Sequence, residues 1–445
     1  MQSTIAAIAT PNGAGAIGIV RISGPKAISI ANAVFEGKDL NKQKGYSLHF
    51  GQITDGTDKI DEVLLSIFRQ PKSYTGENMV EISCHGSSYI LKEILDLLIQ
   101  NGAQPAQAGE FTERAFLHGK MDLSQAEAVA DLIASENQAS HRLALDQLRG
   151  GVSSEINELR KELIQFASLL ELELDFGEED VEFADREKLI NLIENLQSLV
   201  NSLITSFQTG QAIKEGVLTA LVGRPNAGKS TLLNTLLNDD RAIISNIPGT
   251  TRDTIEEFFE LQGVKFRLID TAGIRETKNT IENLGIERTM RNIEKAKIVV
   301  YLYDPLETSD AEVLQDVHYI KDKNLRGEIW VVRNKADLFR PNKDHITISA
   351  KNKEIKSLLD AFSSYASQLQ IGDQTIITNA RHKYELEQAL SYLNNAQNGL
   401  KNGLSHDLLA FEIRYALKHL GNITGEIDID RDILGTIFGQ FCIGK

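Results

Sequence analysis

The sequence predicts a multidomain chain of α/β plus all-α class: a doubly wound, mostly parallel α/β domain inserted into a helical domain, with an N-terminal α+β domain in front. Three observations carry that reading. Val217–Val222, between Gly216 and Gly223, is a continuous apolar run of the kind found in strands buried on both faces. Strand-like runs at Val264–Ile269, Ile298–Tyr303, Ile329–Arg333 and Ile346–Ile348 then alternate with helical patterns. On both sides, from about Leu123 to Thr209 and again from Gly372 to Phe441, apolar residues recur at helical spacing.

Each part follows in chain order. Ala16–Ile22, Val63–Phe68 and Met79–Ser83 read as strands bounded by turn residues, and Ser88–Ile99 as a helix. In the helical region, Leu123, Ala126, Ala130, Ile133 and Ala134 form one apolar stripe, and Leu159, Leu163, Phe166 and Leu170 another. An insert must return to where it left, so its ends near residues 212 and 372 are expected to be neighbours. The expected division is 1–118 for the N-terminal domain, 119–211 with 373–445 for the helical domain, and 212–372 for the insert.

Composition limits the partners. At 445 residues the chain is too long for one core, and 42% hydrophobic with 24% charged residues is a globular balance. Two cysteines, Cys84 and Cys442, make no disulfide framework and fit a reducing, cytoplasmic setting. Asn12, Gly13 and Gly15 break up the N-terminal apolar stretch, which has no basic leader; no run of about 18 apolar residues predicts a membrane span. A net charge of -15 argues against a broad nucleic-acid-gripping surface, so any RNA contact must be local or supplied by a partner.

The chemistry-bearing motifs lie in the insert. Gly223-Arg-Pro-Asn226-Ala227-Gly228-Lys229-Ser230, followed by Thr231, matches a phosphate-binding loop placed after a strand. Its backbone amides wrap phosphate, Lys229 reaches the β and γ phosphates, and Ser230 ligates Mg²⁺. Gly249-Thr250-Thr251 offers a hydroxyl to complete the metal shell. Asp270-Thr271-Ala272-Gly273 ends the next strand with a carboxylate able to hold the metal through water. Asn334-Lys335-Ala336-Asp337 supplies a carboxylate that accepts from guanine N1–H and N2–H₂, a donor pair adenine lacks. Ser349-Ala350-Lys351 closes the set as a base-supporting loop. Together they specify a P-loop GTPase.

Hydrolysis needs a further group, because Ile274 occupies the position after Asp-x-x-Gly where many small GTPases place a water-orienting glutamine. Arg275, Glu276 and Glu282 are nearby candidates, each otherwise an ordinary surface charge. Asn226 reads either as a turn residue or as an oxygen ligand for a monovalent cation beside the phosphates.

Long motifs run through both flanks and the insert: residues 9–24 (ATPNGAGAIGIVRISG), 73–86 (SYTGENMVEISCHG), 109–133 (GEFTERAFLHGKMDLSQAEAVADLI), 223–234 (GRPNAGKSTLLN), 270–276 (DTAGIRE) and 441–445 (FCIGK). On these the chain resembles the MnmE (TrmE) family of tRNA-modification GTPases over nearly its full length. The resemblance implies a folate-binding, dimerising N-terminal domain, and G domains that meet across a homodimer when GTP and K⁺ are bound. K⁺ would be ligated by Asn226 with the loop Ser245, Asn246, Ile247, Pro248, Gly249 and Thr250, and Glu282 would orient water. A tetrahydrofolate derivative of 5-formyl or methylene type would meet Arg21, Glu81, Lys120 and Lys445. An FAD-dependent MnmG-type partner would act with the chain on C5 of the tRNA wobble uridine. Lys229, Arg275, Glu282 and Cys442 stand as the candidate catalytic residues. The competing reading is a GTP-controlled RNA-binding or ribosome-assembly switch, which would be expected to carry a basic appendage.

Three other features stand apart from this chemistry. Cys84 and His85 are strand neighbours that should point to opposite faces, so no catalysis is assigned to them. Glu171 to Glu187, with nine carboxylates and one arginine, reads as a solvated helix end and loop. Nothing selects Arg414 and Lys418 over other solvated helix charges as tRNA contacts.

Overall fold

A computed structural model describes residues 3–175, 186–238, 256–270, 292–325, 327–338, 345–369, 375–402 and 405–425. The chain divides into two units, Met1–Ala130 and Asp131–Lys445.

The first unit is built on a seven-stranded sheet. Its strands are β1 (Ile5–Ile8), β2 (Ile17–Ser23), β3 (Phe35–Glu36), β4 (Ser47–Thr54), β5 (Lys59–Phe68), β6 (Met79–His85) and β7 (Gln104–Pro105), in the order β3-β4-β5-β6-β2-β1-β7. All neighbours are antiparallel except β1 and β7. Helices α1 (Ala27–Val34) and α2 (Ser88–Gln100) cover one face, joining Ile30, Val34, Leu91 and Ile94 to Val63, Leu65, Ile67, Val80 and Ile82. Side chains alternate along a strand, so Leu48, Phe50 and Leu64 lie exposed on the other face. Cys84 and His85 do face opposite ways. Cys84 is buried, and burial pushes its thiol up to about 11; His85 is 70% exposed and its Nδ1 pairs with Asp61 at 2.7 Å. Downstream, α3 (Glu110–Leu117) is tied to residues 73–77 by a buried Arg114–Glu77 ion pair at 3.2 Å.

The stripe expected on α4 (Leu123–Ile133) is not what the helix buries. Ser124 and Ala128 are buried, whereas Ala130 and Ala134 are exposed and Ile133 is 82% exposed. Ser124 and Ala128 share a face one helical turn apart, and their small side chains allow close approach of whatever packs there. Periodicity identified an apolar face but not which face is covered.

In the second unit a helical body holds an α/β insert. The body comprises α5 (Gln138–Leu148), α6 (Gly151–Asp175), α7 (Arg186–Glu215), and, after the insert, helices at Ala380–Lys401 and His406–Thr424. The stripe Leu159, Leu163, Phe166 and Leu170 is buried here as expected, against Ile193, Leu196, Leu393, Ile413 and Leu417.

The insert has a six-stranded sheet: β8 (Val217–Val222), β9 (Glu256–Leu261), β10 (Val264–Asp270), β11 (Ile298–Tyr303), β12 (Glu328–Arg333) and β13 (Ile346–Thr347). The order is β13-β12-β11-β8-β10-β9, parallel throughout except for the antiparallel edge strand β9. Helices α8 (Lys229–Leu237), α9 (Asp310–Lys323) and α10 (Lys356–Leu369) complete two cores, one on each face of the sheet, as a doubly wound domain requires. Near the insert's ends, the amide of Ile377 donates to Ser206 Oγ at 3.1 Å. A Cβ on Gly210 would come within 2.1 Å of the Ile377 carbonyl. The chain therefore leaves the helical body and returns to it beside the same stretch of α7.

Candidate nucleotide-binding site

The five parallel strands end on one side of the sheet, at Val222, Asp270, Tyr303, Arg333 and Thr347. Ligands of open α/β sheets bind beyond those ends. The loops that follow carry the motifs.

In the phosphate loop, two glycines are required by close approach. A Cβ on Gly223 would meet the Leu302 carbonyl at 2.1 Å, and one on Gly228, at φ 97, would meet Asn334 Nδ2 at 2.3 Å. Asn226 takes the left-handed conformation at φ 62, one that asparagine tolerates better than most residues. Gly228 caps α8, and Ser230 and Thr231 lie exposed in its first turn, where unpaired amides and the helix dipole favour an anion. Lys229 Nζ donates to the carbonyls of Gly223 (2.9 Å) and Arg224 (3.0 Å).

Asn334 joins three motifs. Its Nδ2 donates to the Ala227 carbonyl at 2.8 Å, and its Oδ1 accepts from the Ala350 amide at 3.0 Å. Beside it, Lys335 sits at φ 64 with its ammonium paired to the buried Asp304, a pairing that raises its pKa. Asp337 Oδ1 accepts from Ser349 Oγ at 2.6 Å. That hydrogen bond, helped by the charges of Lys351 and Lys335, holds the Asp337 carboxyl below its ordinary value, so it stays an acceptor. The Ala336 amide donates to the Ile348 carbonyl, and Thr235 on α8 donates to the Ala350 carbonyl, both at 3.0 Å.

Sequence reasoning missed what holds Arg224. Its Nε and Nη2 donate to the two oxygens of Asp316 at 2.8 and 3.3 Å, and its Nη1 donates to Glu312 at 2.5 Å. Both carboxylates project from α9. Tyr301 donates to Asp316 at 2.6 Å, and Glu312 also accepts from Ser309 as half of a capping box. The Ser-x-x-Glu spacing was readable; its partner in the phosphate loop was not.

Ser245, Asn246, Ile247, Pro248, Gly249, Thr250, Thr251, Thr271, Ala272, Gly273, Arg275, Glu282, Cys442 and Lys445 lie outside the described residues, as does most of the acidic stretch. Asp270 ends β10 in register with Leu221.

The first unit brings two of its expected residues together. Arg21 and Glu81 face each other across β2 and β6 and pair at 2.7 Å. The guanidinium lies 5.5 Å from the ring centroids of both Tyr74 and Phe111, and Tyr74 is fixed by Thr112 at 2.9 Å. Lys120 donates to the Pro71 carbonyl at 3.2 Å.

Comparison with known proteins gives this geometry a family. The family described as "MnmE helical domain" matches residues 123–442, and that described as "GTP-binding protein TrmE N-terminus" matches residues 4–120. The chain is 49% identical to the tRNA modification GTPase MnmE of Flavobacterium johnsoniae, over 100% of this chain and 99% of that protein. It is 50% identical to the protein of the same name in Christiangramia forsetii, over 100% of both chains. Among solved structures, Aquifex aeolicus Era bound to GDP.AlF4- aligns over 39% of this chain and 66% of its own, at 25% identity and a TM-score of 0.27. With full-length relatives near half identity and both family matches in place, the chain belongs to the MnmE family of tRNA modification GTPases.

Proposed function

We propose that this chain binds GTP at the strand ends of the insert and hydrolyses it to GDP and phosphate, in the service of modifying C5 of the tRNA wobble uridine. The observation that carries the reading is the Asn334 side chain, which ties the phosphate loop at Ala227 to the base loop at Ala350. Phosphate-cradling amides and the base-reading Asp337 thereby belong to one rigid frame. Phosphoryl transfer asks mainly for positioning and charge stabilisation, which such a frame supplies.

Roles follow from the donor set. Lys229 pairs with the β and γ phosphates. Ser230, with Thr251, is the protein's side of a Mg²⁺ site that neutralises phosphate charge. Asn226, with Ser245, Ile247 and Thr250, would be the protein's side of a K⁺ site, Glu282 would orient water, and two G domains would meet across a homodimer. In the first unit, Arg21 and Glu81 beside the flat faces of Tyr74 and Phe111 suit a pterin, whose ring offers N–H donors and a π surface. Lys120 and Lys445 would pair with the glutamate tail of a tetrahydrofolate carrying the one-carbon unit. An FAD-dependent partner and Cys442 complete the modification in the cytoplasm. No helix of the described residues is long and apolar enough to cross a membrane.

Two measurements test this. Purified protein should retain labelled GDP and GTP in the presence of magnesium. Nucleoside mass analysis of tRNA from cells lacking the protein should show loss of the C5 group, restored by wild type and not by Asp337→Asn. Full modification without the protein would leave the switch reading in its place.

A further inference from the structure

Lys229 holds the phosphate loop closed on itself through the carbonyls of Gly223 and Arg224. An ammonium has three donors, so one that also reaches a nucleotide's phosphates shares them with the loop carbonyls, and the loop gains from a brace that the nucleotide does not draw on. Two side chains among the described residues tie the loop to its surroundings: Asn334 at the Ala227 carbonyl and, at the front edge, Arg224. That side chain is 13% exposed and Asp316 17%, so this pair is little screened by solvent, whereas Glu312, at 39%, pairs with it nearer the surface. Arg224 points to α9 and not into the loop: Asp316 takes it bidentately and Glu312 takes the remaining nitrogen. The receiving carboxylates are themselves fixed, Asp316 by Tyr301 and Glu312 by Ser309. The helix is seated on the sheet through Val313 and Ile320.

We propose that Glu312 and Asp316, acting through Arg224, are positioning residues that hold the front of the phosphate-loop backbone in its anion-cradling shape. The inference rests on the nucleotide reading above. It also assigns Arg224 a role opposite to the usual one for arginine beside a triphosphate: two carboxylates compensate its charge and keep it off the phosphates. The two roles predict opposite signs. If the carboxylates merely sequester a phosphate-binding arginine, neutralising them frees it and tightens nucleotide binding. If they tether the loop, neutralising them loosens binding.

The test uses full-length protein and fluorescent GDP as the probe, with GTP turnover measured in parallel. Glu312→Gln keeps the capping box, since glutamine also serves at that position. Asp316→Asn keeps the shape of the side chain. For the double variant we expect GDP release about tenfold faster and a GTP KM about tenfold higher, with kcat within about twofold, on the scale of one charge-assisted hydrogen bond. Asp316→Glu should recover most of the loss. Unchanged release in the double variant, with wild type binding normally and thermal unfolding unaltered, overturns the tether alone. Slower release overturns it in favour of sequestration. Wild type that binds no GDP overturns the nucleotide reading, and the tether with it.

Discussion

At the scale of single residues, Asp337 makes the sharpest demand. Asp337→Asn replaces a guanine-facing acceptor by an amide that presents N–H to N–H, so GDP affinity should fall by about 2–3 kcal/mol, on the order of a hundredfold. The variant should gain affinity for xanthine nucleotides, whose C2 oxygen accepts from the new amide; competition binding with both nucleotides checks it. The pH dependence has a fixed sign. The Asp337 pKa lies below 3.8 in the fold, so its acceptor form persists through mild acid, and base preference should be lost only as pH falls through that lowered value. Asn226 gives a second prediction: replacing K⁺ by Na⁺ should sharply reduce GTP turnover, and equal rates would remove the cation from its role. Lys229, Asn334 and Asp337 were legible because fixed spacing after a strand encodes their places. Arg224 was not, because it fills a variable position of the loop motif, and its carboxylate partners come from 88 and 92 residues further along the chain. Asp304 escaped notice for a similar reason: a buried acid that seats Lys335 belongs to no spacing rule.

Elements obey different arithmetic. Buried parallel strands were legible almost to the residue, since a continuous apolar run bounded by glycine or by charged residues leaves little choice: β8 and β11 coincide with their expected ranges. Other strands were not. β9 reads Glu-Glu-Phe-Phe-Glu-Leu, and β1 and β7 are too short to show a period. Only pairing, of β9 with β10, β1 with β2 and β7 with β1, reveals them. Helix α9 carries a prediction of its own. Glu312 has its carboxyl held at about 2, chiefly by the Arg224 hydrogen bond, against an ordinary 4.5. A depressed pKa contributes stability that is complete above 4.5 and disappears as pH falls toward 2. The stability gap between wild type and Glu312→Gln, read by denaturant titration, should therefore be present at neutral pH and close on acidification. A further test is Gly210→Ala, which would force a methyl to 2.1 Å from the Ile377 carbonyl and should cost about 1–3 kcal/mol in the same titration.

For the molecule as a whole, alternating and helical textures were enough to foresee an α/β body carried by helices. The fate of the α4 stripe could not be foreseen, because a pattern within one helix does not say what lies opposite. Net charge is a property at this scale too. With -15 overall, the isolated chain should bind tRNA weakly and gain affinity when the proposed FAD-dependent partner is added, which filter binding with and without that protein would show.

The crossing at Gly210 and Ile377 has one more implication. A polypeptide that departs and re-enters at a single point can be cut there and rejoined by a bridge of a few glycines and serines, because closing so short a gap costs little entropy. The remaining bundle keeps its own oily interior intact, from Leu163 through Leu393 to Leu417. Excision should leave a protein that still melts cooperatively and has shed every trace of affinity for guanine.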